Sequence, residues 1–164
     1  MTKGFSTKNR KDLKYLDKGN PYYEYKKYEE PTVCKECGLV YTEGRWAMRL
    51  LKEKEAKQEI CPACRIIKDR VPFGVVILEG NYLNDNTKKE IKNLVKNVEE
   101  KTKITRPLQR IMGIEEEDKK ITIYTTYDHL AQRIGKAIYN AFKGELTIKY
   151  TEGERYSRVY WKRD

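Results

Sequence analysis

The stretch Cys34-Lys35-Glu36-Cys37-Gly38 sets the fold of the region around it, and Cys61-Pro62-Ala63-Cys64 repeats its cysteine spacing after an interval of 23 residues, 38–60. Two cysteines separated by two residues lie on one tight turn and bind a metal ion with both sulfurs. A second such turn supplies the other two ligands of a tetrahedron, which is the coordination that Zn²⁺ takes in structural sites. The sequence therefore predicts one structural zinc ion, with these ligands: Cys34, Cys37, Cys61 and Cys64.

Cysteine pairs of this kind also occur in iron–sulfur proteins and in dithiol redox enzymes. The interval between the two pairs differs from that of the ferredoxin cysteine runs, and a thioredoxin-type site needs only one pair in a βαβ setting. Two disulfides are disfavoured in a reducing compartment. Zinc is thus the favoured interpretation, and four thiolate ligands leave no coordination position for water or substrate.

The composition favours a nucleic-acid-binding protein of the cytoplasm. The 164 residues include 35 Lys and Arg against 25 Asp and Glu, which gives a formal charge of +10. A basic excess of this size favours an anionic partner, nucleic acid above all. The longest apolar run is 75–78, far below the ~20 residues of a membrane-spanning helix. No signal-peptide pattern stands at the N-terminus, so we predict a cytoplasmic protein with no membrane partner.

Residues 1–30 are predicted to form an extended basic arm. The segment holds eight Lys or Arg and five Tyr, almost no aliphatic residues, and neither a helical nor a strand period. It buries too little apolar surface to order by itself, but cations on phosphates and tyrosine rings on bases would order it on RNA. A tail that packs over its own domain through the tyrosines is the alternative. The predicted nucleic-acid contacts in the arm are Lys8, Arg10, Lys11 and Lys14.

Residues 31–72 are predicted to form the zinc-ribbon module. A short strand is expected at Leu39–Tyr41, a charged solvated helix at Arg49–Glu59, and a second short helix with a basic face at Pro62–Arg70. Trp46 either contacts the nucleic acid or, as we favour, covers the cysteine turns. The predicted nucleic-acid contacts in the module are Arg45, Trp46, Arg65, Lys68 and Arg70.

The region 73–164 alternates strand and helix patterns in the order β-α-β-β-α-β, with one further strand. The continuous apolar run from Phe73 to Glu79 predicts a buried strand. Apolar residues at helical spacing follow around Ile91 and again around Ile134, and alternating patterns mark the remaining strands. This order is that of the ferredoxin-like fold. The predicted fold class is therefore α+β: a basic arm, a four-cysteine zinc ribbon and a ferredoxin-like domain.

Local signals in this region predict where its elements begin and end, and which aromatic residues stay accessible. Thr87 with Glu90 predicts a capping box at the first helix, and the acidic run Glu115–Asp118 predicts a hairpin turn. Two helices on one face of the sheet leave the other face open for stacking on RNA bases, although sheets also carry tyrosine for propensity alone. The aromatic residues available to that face are Tyr124, Tyr150, Tyr156, Tyr160 and Trp161.

No catalytic constellation is visible in the sequence. His129 is the only histidine, and Ser6 and Ser157 are the only serines. Neither serine stands in a nucleophile-elbow sequence, and no glycine-rich phosphate-binding loop is present. The sequence therefore predicts a protein without enzymatic activity and without a small-molecule substrate.

Seven short strings give the chain a family resemblance. They stand at residues 30–38, 44–46, 61–65, 78–80, 107–112, 114–118 and 129–135. Together they resemble a bacterial zinc-ribbon family associated with a low-oxygen-activated locus, over the chain from about residue 20 to the C-terminus. The zinc ribbon and the strand after it are also distantly similar to the large-ribosomal-subunit export adaptors of archaea and eukaryotes. From that second family only the four cysteines carry over, as zinc ligands.

The resemblance implies a ribosome-associated factor. Together with the arm, the zinc module and the basic charge, it favours a non-enzymatic protein that contacts rRNA, preferentially on the large subunit. It would act in hibernation or large-subunit assembly under low oxygen or slow growth. The alternative is a zinc-ribbon transcription regulator that binds duplex DNA through a helix in the major groove. That helix would present Gln132, Arg133, Lys136 and Asn140. A third hypothesis is a redox or zinc sensor whose cysteine turns release metal on oxidation.

Overall fold

The first of two sheets surrounds the cysteines. A computed structural model of the chain describes residues 28–49, 56–151 and 155–164. Strand β1 is antiparallel to β2 and parallel to β4, and the order across the sheet is β3-β2-β1-β4. A short helix follows the last strand. The elements are β1 Thr32–Cys34, β2 Val40–Thr42, β3 Arg45–Ala47, β4 Lys57–Glu59 and α1 Pro62–Asp69.

Strand β4 lies where the sequence predicted the end of a helix. That prediction is wrong for Lys57–Glu59, and residues 50–55 of it lie outside the described residues. The three residues pair with β1, in a register that sets Cys34 opposite Glu59. The backbone ladder with β1 outweighs the helix propensity of the side chains, which is a weak preference. The pairing also delivers Cys61 next to the first cysteine turn.

The second sheet has five strands and two helices. Its order is β6-β7-β5-β9-β8, and all neighbours are antiparallel except β5 and β9. The elements are β5 Gly74–Glu79, α2 Asp85–Thr105, β6 Ile111–Glu117, β7 Lys120–Thr125, α3 Asp128–Phe142, β8 Glu145–Thr151 and β9 Tyr156–Lys162.

The position of β9 departs from the ferredoxin-like arrangement. In that arrangement the strand after the second helix lies beside the first strand, but here β9 lies between β5 and β8. The two strands differ in burial: β8 is exposed along one face, whereas Ser157, Val159 and Trp161 of β9 are fully buried. The more apolar strand occupies the interior of the sheet because an interior strand is covered on more sides.

Helices α2 and α3 cover one face of the five-stranded sheet. Ile91 of α2 and Ile134 of α3 pack with Val76, Ile123 and Trp161 of the sheet in one buried apolar cluster. Trp161 is only 1% exposed, so its predicted place on the open face is wrong. In a strand successive side chains point to opposite faces, and Val159 and Trp161 share the face that the helices cover.

The ends of two elements differ from the prediction. The N-cap of α2 is Asn84, whose side chain accepts from the backbone N–H of Thr87 at 2.9 Å, while the Thr87 hydroxyl accepts from Asn84 N–H at 2.9 Å. The capping box thus lies three residues earlier than Thr87–Glu90. The acidic run belongs to β6 through Glu117, and the turn follows it. Within the described ranges, no helix combines the length and apolar character needed to span a bilayer.

Candidate metal centre and adjoining cleft

The four cysteine sulfurs converge on one point. All four Sγ atoms lie within 4.8 Å of one another. The Sγ atoms of Cys34 and Cys64 are 3.8 Å apart, and those of Cys37 and Cys61 are 3.7 Å apart. With metal–sulfur bonds of about 2.3 Å, the corners of a regular tetrahedron lie about 3.8 Å apart. The cysteines are therefore positioned to bind one metal ion, consistent with a single zinc.

Short backbone elements fix the four ligands. Cys34 ends β1, and the turn to Cys37 closes with Gly38 N–H donating to the Cys34 carbonyl at 2.8 Å. Gly38 has φ +81°, a conformation that glycine adopts without steric cost. Cys61 caps the N-terminus of α1, where its sulfur accepts from Cys64 N–H at 3.5 Å. Each cysteine pair thus has a rigid turn of its own.

The thiol pKa values differ within the cluster. Burial alone would raise the pKa of Cys34, but backbone N–H groups of Cys61, Cys37 and Glu36 hold it at about 6. Burial raises the pKa of the Cys61 and Cys64 thiols. Because a metal binds thiolates, loading of the site displaces the protons that these two thiols retain.

Arg110 is a member of the centre that the sequence analysis missed. Its Nη1 donates to Cys64 Sγ at 3.4 Å and its Nη2 donates to Cys37 Sγ at 3.2 Å. Burial would lower its pKa, but these thiolate contacts raise the pKa of the guanidinium above its usual value. Four thiolates and a divalent ion sum to −2, so this cation halves the net charge of the centre.

The backbone around Arg110 holds its side chain in place. Arg110 Nε donates to the Pro107 carbonyl at 2.9 Å, and its N–H donates to Thr126 Oγ1 at 2.8 Å. The residue precedes β6, so it links the five-stranded sheet to the cysteines. Arg110 lies in the string at 107–112 that carries the resemblance, but it is 46 residues from Cys64 and only the tertiary structure brings the two together.

The predicted nucleic-acid contacts of the zinc module divide into exposed and buried residues. Arg45, Lys68 and Arg70 are exposed. Trp46 is only 7% exposed and packs against Cys34 and Cys61, as expected of a side chain that covers the cysteine turns. Arg65 is half-buried, and its Nη2 donates to the Tyr28 hydroxyl at 3.1 Å. The structure therefore leaves three of the five as accessible cations.

The predicted contacts of the arm lie outside the described residues; they are Lys8, Arg10, Lys11 and Lys14. Tyr28 is the last tyrosine of the predicted arm and the first described residue. Its ring centroid lies 5.0 Å from that of Tyr41 and 5.1 Å from that of Trp46. At this one position the chain packs on its own module through a tyrosine, as the alternative interpretation of the arm expected.

A cleft of about 480 Å³ opens beside the metal centre, between the cysteine region and the five-stranded domain. Aromatic and basic side chains dominate its wall, and no acidic residue is among the described residues that line it. The lining residues that carry chemistry are Tyr28, Tyr41, Arg45, Trp46, Arg106, Gln109, Tyr127 and Arg155. Sequence analysis gave no role to four of them (Arg106, Gln109, Tyr127 and Arg155), which come from three separate stretches of the chain.

The sheet face opposite the helices offers fewer aromatic residues than predicted. Tyr124 of β7 and Tyr160 of β9 are half-buried on that face, where they pair with Val75 and Ile77 of β5. The Tyr124 hydroxyl donates to Glu115 at 3.1 Å, and burial with this carboxylate raises the pKa of Tyr124 to about 12. Tyr156 is 5% exposed beneath Arg158. Tyr150 alternates in phase with Ile148, which packs in the helix-covered core.

The helix predicted to enter a DNA groove uses two of its polar side chains for hydrogen bonds within the protein. Gln132 of α3 donates to the Ser157 hydroxyl at 2.7 Å. Arg133 donates to the Thr102 hydroxyl at 3.5 Å. Lys136 and Asn140 are exposed, so two of the four residues are presented as predicted.

Comparison of the chain with protein-family models, with curated proteins and with solved structures finds no match. The resemblance to the low-oxygen-associated zinc-ribbon family therefore stays a prediction. What is established for the site is its geometry: four convergent sulfurs, one arginine in contact with them, and an arginine-rimmed aromatic cleft beside them.

Proposed function

We infer that the protein is a non-enzymatic, zinc-stabilised RNA-binding factor of the ribosome that contacts rRNA of the large subunit. The supporting observation is that Arg45, Lys68 and Arg70 are exposed on a module whose backbone the cysteine centre fixes. In such a module the cations have fixed positions. Little conformational entropy is therefore lost when they bind a phosphate backbone.

Zinc is the metal that this ligand set favours. Thiolates select soft or borderline ions, and a closed tetrahedron of four sulfurs suits Zn²⁺ without redox chemistry. Zinc bound by four thiolates contributes −2, so the formal charge of +10 becomes +8 in the metal-bound protein. The protein remains strongly basic, and its attraction to RNA would persist in the loaded state.

The ribosome is the proposed partner because of the family resemblance. Its proposed role is in hibernation or in large-subunit assembly, under the low oxygen or slow growth that the resemblance implies. RNA rather than duplex DNA is favoured because Gln132 and Arg133, two of the four groove-facing residues, already bond within the protein. The predicted basic arm would add phosphate contacts beyond those of the module.

Sedimentation of a lysate from low-oxygen cells tests this function. The protein should co-sediment with 50S or 70S particles at low salt and leave them at high salt or after RNase treatment. The triple variant Arg45→Gln, Lys68→Gln, Arg70→Gln should bind more weakly, with a log–log salt slope smaller by about 3. The matched control is Lys89→Gln, Lys96→Gln, Lys101→Gln, which removes the same charge from exposed positions of α2.

Absence of the protein from every ribosomal fraction at low salt would refute the ribosome assignment. An equal loss of binding in both triple variants would reduce it to an effect of net charge. A gel shift on duplex DNA that survives excess competitor RNA would favour the transcription regulator instead. Release of metal under mild peroxide, with ribosome binding lost in parallel, would favour the sensor.

A further inference from the structure

The cleft beside the metal centre has the composition of a site for a planar anion. Tyr28, Tyr41 and Trp46 meet in one wall, with ring centroids between 5.0 and 5.5 Å apart, and Tyr127 also lines it. The volume of about 480 Å³ lies within the range of small-ligand sites. An aromatic wall binds a flat ring through stacking and edge contacts.

Three exposed arginines on the rim favour an anionic ligand in the cleft. Arg45 belongs to β3, Arg106 follows the end of α2, and Arg155 precedes β9. No carboxylate is found among the described lining residues. Guanidinium groups bind phosphate oxygens with two parallel hydrogen bonds, so the rim favours a phosphate group at the mouth of the cleft.

Two buried polar atoms of the wall have no partner in the part of the chain that the structure describes. They are the donor Trp46 Nε1 and the acceptor Gln109 Oε1, and both residues are at least nine-tenths buried. A buried polar group without a partner destabilises the unliganded site. Each of these atoms exposes less than 1 Å² of surface, so a base in the cleft reaches them only when wall side chains shift; the amino-bearing edge of adenine, an acceptor beside a donor, would then offer a partner to each.

We propose that the cleft binds one unpaired nucleotide of an RNA strand, with its base against the aromatic wall and its phosphates at the arginine rim. The inference rests on the proposed function, since it names what the RNA-binding protein recognises. An RNA strand is favoured over a free nucleotide because the three arginines come from three separate segments around the mouth. A continuous backbone presents phosphates on both sides of an inserted base, whereas a single monophosphate does not.

Trp46 supplies a built-in reporter for this site. The chain has two tryptophans, and Trp161 is buried in the helix-covered core. A stacked or hydrogen-bonded base in the cleft should therefore change the fluorescence of Trp46 alone. Titration of the full metal-loaded chain with single-stranded tetra-adenylate RNA should give a saturable change. An abasic tetramer of the same charge should bind at least tenfold more weakly, and adenosine monophosphate likewise.

Two variants connect the signal to the cleft. Gln109→Leu removes the unpartnered acceptor, and Arg106→Gln removes one exposed rim cation; each should weaken tetra-adenylate binding about tenfold. Lys96→Gln on α2 is the charge-matched control and should leave it unchanged. Arg106 is exposed, so its variant tests the cleft even if Gln109→Leu disturbs the wall.

The outcomes separate this proposal from the proposed function. If the protein sediments with ribosomes but tetra-adenylate leaves Trp46 unchanged, the nucleotide site is refuted and the function stands. If tetra-adenylate binds in the cleft but no ribosomal fraction contains the protein, the function fails and the nucleotide site stands. Equal affinity for the abasic tetramer would reduce the site to phosphate binding. Equal affinity for adenosine monophosphate would make the ligand a free nucleotide. Either result overturns the proposal.

Discussion

Each strand of the four-stranded sheet around the cysteines has three residues, whereas the strands of the five-stranded sheet have six or seven. The buried cluster of the first contains two cysteines and four other residues, while the second buries thirteen apolar residues. Strands of three residues are at the lower limit for sheets in globular proteins. A metal ion bound by the four cysteines would supply the first region with stabilisation that its few apolar side chains do not provide.

The two regions nevertheless share contacts. Leu108, which precedes β6, packs against the cysteine cluster. Met112 and Tyr127 pack around Ile66 and Phe73 in a third small cluster. Burial raises the pKa of Tyr127 to about 12. The two regions therefore pack against each other, and we expect them to differ in the interactions that stabilise them. Four substitutions test this difference.

The largest expected effect is that of Cys61→Ser, which removes one of four ligands. Structural zinc contributes about 10–16 kcal/mol in comparable peptides, so the four-stranded sheet should lose its protection against amide exchange. Strands β5, β7 and β9 should keep theirs, because their core is apolar. Exchange measured by mass spectrometry, with metal content per chain, checks both statements. Equal loss of protection in the two sheets would contradict the expectation that only the four-stranded sheet depends on the metal.

Ile134→Ala tests the other half of the comparison. Ile134 is fully buried between α3 and the five-stranded sheet, and its truncation should lower the free energy of unfolding by about 2–5 kcal/mol. Metal content should stay at one ion per chain. Ile104→Ala is the control, since Ile104 is 80% exposed and should change stability by less than about 0.5 kcal/mol. Urea unfolding followed by fluorescence measures both, and metal loss in Ile134→Ala would contradict independent stabilisation.

A smaller effect is expected at Gly135, where α3 packs closely against β9. A Cβ at this position would lie 2.4 Å from Val159 Cγ1, so Gly135→Ala must push the helix away from β9. Overpacking of this kind costs about 1–3 kcal/mol. Lys136→Ala, at the next and exposed position of the same helix, should be close to neutral. Thermal unfolding of the two variants distinguishes them, and equal midpoints would exclude a tight helix–sheet contact.

The smallest expected effect is at Arg110, which joins the two regions. Arg110→Lys keeps the charge but loses the fork that reaches Cys37 and Cys64 together. Mutation of a residue that contacts a metal ligand typically lowers metal affinity 10–100-fold. We expect about a tenfold loss for this conservative change. Arg106→Lys, four residues away and exposed, is the control. Competition with a chelator measures the affinity, and an unchanged value would show that Arg110 contributes no energy to the centre.

Several features of the fold could be predicted because short sequence patterns determine them. The spacing within the two cysteine pairs predicts a common metal centre, and the four sulfurs lie within 4.8 Å of one another. Helical periodicity located α2 and α3, and the continuous apolar run from Phe73 to Glu79 located β5, Gly74–Glu79. Each of these signals is contained in a few neighbouring residues, so no knowledge of distant contacts is needed.

Other features follow only from pairings between distant segments. Lys57–Glu59 has the composition of a helix, yet its backbone pairs with β1. The position of β9 between β5 and β8 depends on which strand best fills an interior position, and that is a property of the whole sheet.

Three features follow from the sequence alone: four cysteines form one centre, two helices cover a sheet, and the chain is basic. The tertiary structure is needed to see that Arg110 reaches the sulfurs and that Arg106, Gln109 and Tyr127 line one cleft with Trp46. The physical reason is that ligand spacing and periodicity act over a few residues. A guanidinium near a thiolate, or an aromatic wall below an arginine rim, requires segments that the folded backbone alone brings together.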